Sequence, residues 1–266
     1  MKDLQGDHMF EKIKCFILDM DGTIYLGNEL FSFTKKFLKK VDETGRKYYF
    51  FTNNSSKSQQ DYIEKLERFG IRIKRQQMMT STHVISRYLK QHYEGKSVYV
   101  VGTPSLIQEF QYFDMNLTEE DPDIVVLGFD TTLTYEKLSK ACHYIRNGCI
   151  YFGINPDWNC PMEGGAFIPD CGSIAKLIEA STGRFPEFFG KPSKHTLDYI
   201  IQETAYEPDE IAIVGDRLYT DIAVADQSDV TSILVLSGES TREDVKTSDV
   251  KPDVILEDLS EITKML

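Results

Sequence analysis

Four short stretches of this sequence hold residues able to do chemistry. They are Asp19-Met20-Asp21-Gly22-Thr23, Thr52-Asn53-Asn54-Ser55-Ser56, Gly190-Lys191-Pro192, and Gly215-Asp216-Arg217 with Asp221 shortly after it. Gathered in one place, Asp19, Asp21, Asp216 and Asp221 would repel one another unless a hard cation sat among them. So few oxygen ligands, with positions left open for water and substrate, suit Mg²⁺ better than a closed protein cage. Lys191 adds a fixed positive charge, while Thr52 and the amides around Asn53 offer hydrogen-bond donors. A metal, a lysine and donors together make a phosphate site, and a carboxylate beside them can attack phosphorus.

Taken singly, each stretch is an ordinary turn or helix cap. Their joint occurrence, in this order and each after an apolar run, is what points to a site. Two rival motifs fail on spacing. An EF-hand loop counted from Asp19 needs glycine at its sixth position and an oxygen ligand at its twelfth, where this chain has Ile24 and Leu30. A P-loop needs Ser or Thr after Gly190-Lys191 and a glycine five residues before Gly190, where Pro192 and Phe185 stand.

The elements that must position these residues are legible as short apolar runs alternating with longer amphipathic stretches. Strands are predicted at Cys15–Leu18, Tyr48–Phe51, Val98–Val101, Ile124–Phe129, Ile150–Phe152, Ile211–Val214, Ile233–Leu236 and Val254–Leu256. Helices are predicted over Ser58–Phe69, Thr82–His92, Tyr135–Arg146, Ser173–Ser181, Lys194–Thr204 and Tyr219–Asp226. Strands apolar throughout are buried on both faces, which implies a parallel sheet covered by helices, an α/β fold. Ligands of such sheets bind at the carboxyl ends of the strands, where three of the four polar stretches fall. Turn-rich places at 70–77 and 182–187 divide the chain into a core of two segments, 1–78 and 187–266, with 79–186 inserted as a second domain.

The chain has 266 residues, with 42 Asp+Glu against 30 Lys+Arg and a formal net charge of −12. That acid excess argues against nucleic acid and against anionic membrane surfaces as partners. No apolar run approaches the ~20 residues that span a bilayer. Residues 1–14 lack the apolar centre of a signal peptide. Five cysteines, an odd count with no CxxC pair or zinc spacing, fit a reducing compartment, so a cytoplasmic location is expected.

The four stretches, quoted as Asp19-Met20-Asp21-Gly22-Thr23-Ile24-Tyr25, Thr52-Asn53-Asn54-Ser55-Ser56, Gly190-Lys191-Pro192 and Gly215-Asp216-Arg217-Leu218-Tyr219-Thr220-Asp221, resemble the four motifs of the haloacid dehalogenase superfamily. Thr23-Ile24-Tyr25-Leu26-Gly27 with Thr52-Asn53-Asn54-Ser55 is similar to its NagD-like phosphatase branch, which includes nitrophenyl phosphate and phosphoglycolate phosphatases. The resemblance implies a Rossmann-like, doubly wound parallel-sheet core with an inserted α/β cap of the C2 type. It implies a Mg²⁺-dependent phosphatase of small phosphorylated metabolites acting through an aspartyl-phosphate. Asp19 would be the nucleophile and Asp21 the acid and base. Thr52, Asn53 and Lys191 would bind phosphate, Asp19, the Asp21 carbonyl and Asp216 would hold the metal, and Asp221 would support them. Asn155-Pro156-Asp157 and the series Pro161, Gly164, Pro169, Gly172 resemble the cap loops of that branch. Substrate selection is therefore expected of Asn155 and Asp157, and of Trp158 as a stacking surface. The chain departs from the branch in having Ile154 before Asn155 and Asp170-Cys171 before Gly172. The resemblance also points to a homodimer through the cap. A phosphomutase or phosphotransferase would use the same acids. A phosphorylation-sensing module would too, but it has about half this length and no inserted domain.

Overall fold

The structure, a computed structural model, describes residues 9–162 and 165–266. Gly164 and the first eight residues of the N-terminal stretch lie outside the described residues. Two compact units divide the chain. One takes the residues up to Phe51 with Leu66–Met79 and Thr196–Leu266; the other takes Thr52–Lys65 and Thr80–His195. The second unit thus takes in 52–65 and 187–195 as well as the segment expected to be inserted.

The first unit is built on a six-stranded sheet. Its strands are Val254–Leu256, Thr231–Val235, Ile211–Gly215, Cys15–Leu18, Lys47–Thr52 and Met78–Thr80, in that spatial order. The pairings from Val254–Leu256 across to Lys47–Thr52 are all parallel. Cys15, Phe16, Ile17 and Leu18 are all buried, as a strand covered on both faces requires. Register decides where the chemistry falls. Leu18 is level with Val214 on one side and with Phe50 on the other, so these carboxyl ends stand side by side.

A helix over Thr34–Glu43 covers one face through Phe37, Leu38 and Val41, and Phe37 meets Phe16 edge-on at 5.6 Å. The closing helix Leu259–Met265, capped by the Asp258 carboxylate on the Ser260 N–H, packs against it. The helix expected over Tyr219–Asp226 does not form as such. In its place a π-type turn spans Leu218–Ile222, followed by one 3₁₀ turn over Ala223–Ala225. The cause is local: the N–H groups of Asp221 and Ile222 both reach the Arg217 carbonyl, so the turn takes an extra residue. Such wide turns recur where a side chain must be aimed.

The second unit has a four-stranded parallel sheet, ordered Glu187–Phe188, Ile150–Gly153, Ile124–Leu127, Val98–Val101. Helices Ser81–His92, Pro104–Tyr112, Tyr135–Arg146 and Cys171–Thr182 accompany it. Thr103 and Thr134 cap two of them by accepting from Leu106 N–H and Lys137 N–H. Gly183, at φ 72°, closes the last by taking the left-handed conformation. The core joins Val101, Val125 and Leu127 of the sheet to Ile145, Ile174 and Ile178 of the helices. An antiparallel hairpin of Asn159–Pro161 with Phe167–Pro169 extends from the unit, with Trp158, Met162 and Phe167 exposed. Among the described residues no helix is long and apolar enough to cross a membrane, and the five cysteines are free thiols.

Candidate active site

In the first unit, Asp19 and Asp216 are each the residue after a strand, brought level by the pairing of Leu18 with Val214. The Asp19 N–H donates to the Val214 carbonyl at 2.9 Å, which ties the two strand ends together. The chain then turns tightly. The Met20 carbonyl accepts from Ile24 N–H at 3.0 Å, and Gly22 N–H donates to the Tyr25 carbonyl at 2.7 Å. Gly22 has φ 86°, and a Cβ there would lie 2.3 Å from Asp216 Oδ2. A Cβ on Gly238 would lie 2.0 Å from the same oxygen. Two glycines therefore make the slot in which the Asp216 carboxylate sits.

Asp216 is 2% exposed and accepts from Glu239 N–H at 2.7 Å and, more weakly, from the Thr23 hydroxyl at 3.5 Å. Asp221 is buried too; its Oδ2 accepts from Arg217 N–H at 3.0 Å, an arrangement the wide turn allows. A Cβ on Gly215 would lie 2.3 Å from the Asp221 side chain, so that glycine is also required by close approach. One carboxylate oxygen from each of Asp19, Asp216 and Asp221 lies within 4.8 Å of the others. Burial first, then the charges of Asp221 and Asp19, push the Asp216 carboxyl well above the ordinary carboxylate range. The Arg217 guanidinium and the Glu239 N–H only partly oppose them. Three acids brought together at that electrostatic cost fit a divalent cation, and an all-oxygen donor set selects a hard one. Asp21 is half-buried in the turn; its side chain is not one of the three.

In the second unit, the Thr52 hydroxyl accepts from Asn54 N–H at 3.2 Å, which leaves its own proton to donate. Asn53 is buried, and its side-chain amide is committed. Nδ2 donates to the Lys191 carbonyl and to Asp157 Oδ2, both at 2.9 Å, while Oδ1 accepts from Lys191 N–H at 2.8 Å. With the side-chain amide so engaged, any donor that Asn53 offers an anion would be its backbone N–H. Lys191 is 2% exposed, so its long side chain runs within the protein. Of the residues expected to select substrate, Asn155 is fully buried and Asp157 nearly so. Trp158 is half-exposed at 49%.

Four contributors escaped sequence reasoning. Thr23 lies within the first motif, but its type and spacing alone do not assign its hydroxyl to Asp216. Gly238 and Glu239 follow the strand Thr231–Val235, and a glycine just past an apolar run could have flagged that loop. Asp170 caps the helix Cys171–Thr182 and also accepts from Asn155 Nδ2 at 2.9 Å. Its place in the sequence marks only a departure from the cap-loop pattern, and nothing local records the bond to Asn155.

A family model described as haloacid dehalogenase-like hydrolase matches residues 16–116, and a second, HAD-hydrolase-like, matches 188–262. The chain belongs to the haloacid dehalogenase-like hydrolases. Those two matches contain Asp19, Asp21, Thr52 and Asn53 in one and Lys191, Asp216 and Asp221 in the other. Asn155–Trp158 fall in neither. An acid sugar phosphatase of Staphylococcus aureus is 33% identical over 94% of this chain and 97% of its own length. Among solved structures, a 4-nitrophenylphosphatase of Thermotoga maritima superposes with a TM-score of 0.93 at 42% identity, covering 97% of this chain and 98% of that one. NagD of E. coli gives a TM-score of 0.85 at 30% identity, covering 94% and 98%. This haloacid dehalogenase-like hydrolase thus has the Rossmann-like core with an inserted α/β domain that the motifs implied.

Proposed function

We propose that this chain is a Mg²⁺-dependent phosphatase of small phosphate monoesters, working through an aspartyl-phosphate on Asp19. The observation that carries the reading is the three-acid set, with Asp216 and Asp221 buried beside a partly exposed Asp19 and Asp216 held against its own charge between two glycines. The phosphatase names of its relatives support the same class.

Asp19 has a half-exposed carboxylate at a strand end, and its oxygen attacks phosphorus as the bond to the leaving oxygen breaks. Asp21 gives that oxygen a proton. In the second half, Asp21 takes a proton from water; the water oxygen attacks phosphorus, the Asp19–phosphorus bond breaks, and inorganic phosphate leaves. The Thr52 hydroxyl, the Asn53 backbone N–H and the Lys191 ammonium are assigned to the non-bridging phosphoryl oxygens. Asp19, the Asp21 carbonyl and Asp216 would hold Mg²⁺, with Asp221 beside them; when bound, the ion neutralises charge on the phosphoryl group. The ligand class is a small phosphorylated metabolite. The acid excess and odd cysteine count favour work in a reducing cytoplasm.

The test is turnover of 4-nitrophenyl phosphate by wild type and Asp19→Asn, each with Mg²⁺ and with EDTA. Mg²⁺-dependent release of phosphate by wild type alone is expected. Undiminished turnover by Asp19→Asn would overturn the mechanism, and transfer of phosphate to a second metabolite without release would replace hydrolase by phosphotransferase.

A further inference from the structure

Asn155 and Asp157 hold little surface for a substrate to touch, yet both polar side-chain atoms of Asn155 are used. Its Nδ2 donates to Asp157 Oδ2 and to Asp170 Oδ1, each at 2.9 Å, and its Oδ1 accepts from the Ser55 hydroxyl at 2.6 Å. The Ser55 oxygen in turn accepts from Phe129 N–H at 2.8 Å. Asp157 Oδ2 also takes the Asn53 Nδ2–H, and the Asn53 amide then grips the Lys191 peptide by both its N–H and its carbonyl. A carboxylate only accepts, so Asp157 forces the nitrogens of both asparagines toward itself. That leaves Asn53 Oδ1 facing the Lys191 N–H, with no degenerate flip.

The network has no slack. A Cβ on Gly190 would lie 2.7 Å from Asn53 Oδ1 and 2.9 Å from the Ile154 carbonyl. A Cβ on Gly172 would lie 2.3 Å from the Pro156 carbonyl. Connectivity adds a second consequence. Asp157 and Asp170 bracket the hairpin of Asn159–Pro161 and Phe167–Pro169, and both bond to Asn155. The hairpin that exposes Trp158, Met162 and Phe167 is therefore rooted at both ends on the group that grips Lys191.

We propose that Asn155 and Asp157 are positioning residues that hold Lys191 through the Asn53 amide and couple the paired strands Asn159–Pro161 and Phe167–Pro169 to it. A lysine reaches its target on a flexible stem, so the place of its charge depends on how firmly its backbone is fixed. A ligand that shifts the hairpin shifts the root of that stem. The task given to Lys191 rests on the phosphatase reading; the grip itself does not.

The test compares wild type, Asp157→Ala and Asp157→Asn, the last of which keeps an oxygen for Asn53 Nδ2. Turnover of 4-nitrophenyl phosphate and of the much smaller acetyl phosphate is measured, with deuterium exchange at the Lys191 amide. Asp157→Ala is expected to lower kcat about 10–100-fold on both substrates alike, the loss that a displacement of ~1 Å brings. KM should stay near that of wild type, exchange at the Lys191 amide should rise, and Asp157→Asn should recover most of both. A rise in KM for one substrate only, with the Lys191 amide still protected, would overturn the proposal and make Asp157 a substrate contact. If wild type hydrolyses neither ester, the phosphatase reading fails and the exchange measurement alone decides. Loss of Lys191 protection in Asp157→Ala then upholds the grip, and equal protection overturns it. If Asp157→Ala does not fold, the shorter polar Asp157→Ser takes its place with the same expectations.

Discussion

Replacing Asp216 by asparagine should make the metal-free protein more stable while removing its response to magnesium. Asp216, Asp19 and Asp221 each place one oxygen within 4.8 Å of the others. At an effective dielectric of ~20, two unit charges at that separation repel by about 3.5 kcal/mol. Asp216 takes part in two such pairs, so full ionisation of all three would cost about 7 kcal/mol or more. The wild-type site lowers that figure by binding a proton, as the raised Asp216 carboxyl indicates. Asparagine keeps an oxygen for the Glu239 N–H, so little hydrogen bonding is lost. A net gain of about 2–3 kcal/mol remains, which for a chain of this size is roughly 5–10 °C in Tm. The sign with pH follows from the same shift. A carboxyl whose folded pKa is raised carries no penalty below its unfolded pKa, near pH 4. The penalty grows as pH rises and is complete above the folded pKa. Wild type in EDTA should therefore gain stability between pH 8 and pH 5, and Asp216→Asn should lose that pH-dependent gain. Differential scanning calorimetry in EDTA and in Mg²⁺, at both pH values, reads all of these effects. A variant less stable than wild type in EDTA, or still raised in Tm by Mg²⁺, would refute the reasoning.

Gly22→Ala should destabilise the first unit by more than the about 1–2 kcal/mol that a left-handed conformation costs an alanine, because its Cβ would press on Asp216 Oδ2. Gly45→Ala, at φ 75° with nothing within 4 Å, should cost the backbone amount alone; equal urea midpoints for the two would contradict the contact. Tyr151→Phe should raise stability by about 1 kcal/mol, since the Tyr151 hydroxyl is buried with no hydrogen-bond partner among the described residues. A lower Tm for that variant would show that the hydroxyl is satisfied in solution.

The strands were legible because both faces of each are covered, which leaves no polar residue inside Cys15–Leu18 or Ile211–Val214 to blur the run. The chemistry was legible for the same reason, since Asp19 comes at the first residue past one such run and Asp216 at the second past the other. Side-chain wiring was not. That Asn53 spends its amide on a peptide 138 residues away depends on chain crossings that no local pattern records. Trp158 is exposed as a stacking residue would be, whereas the burial of Asn155 and Asp157 follows from the bonds to Ser55 and Asp170 and from the close packing at Gly172. The segment Tyr219–Asp226 has helical periodicity, but the N–H groups of Asp221 and Ile222 share the Arg217 carbonyl and widen the turn, which lets the Asp221 carboxylate meet the Arg217 N–H. The helix Thr34–Glu43 was missed, although Phe37, Leu38 and Val41 carry its apolar stripe, because four lysines dominate its composition.

On the proposed mechanism, phosphate passes through Asp19. Borohydride added during turnover of 4-nitrophenyl phosphate with Mg²⁺ reduces an acyl phosphate but leaves a free carboxylate alone. Mass spectrometry of the peptide spanning Asp19 should then find homoserine at position 19, and only when substrate is present. An unmodified Asp19 in enzyme trapped while releasing phosphate would contradict the account.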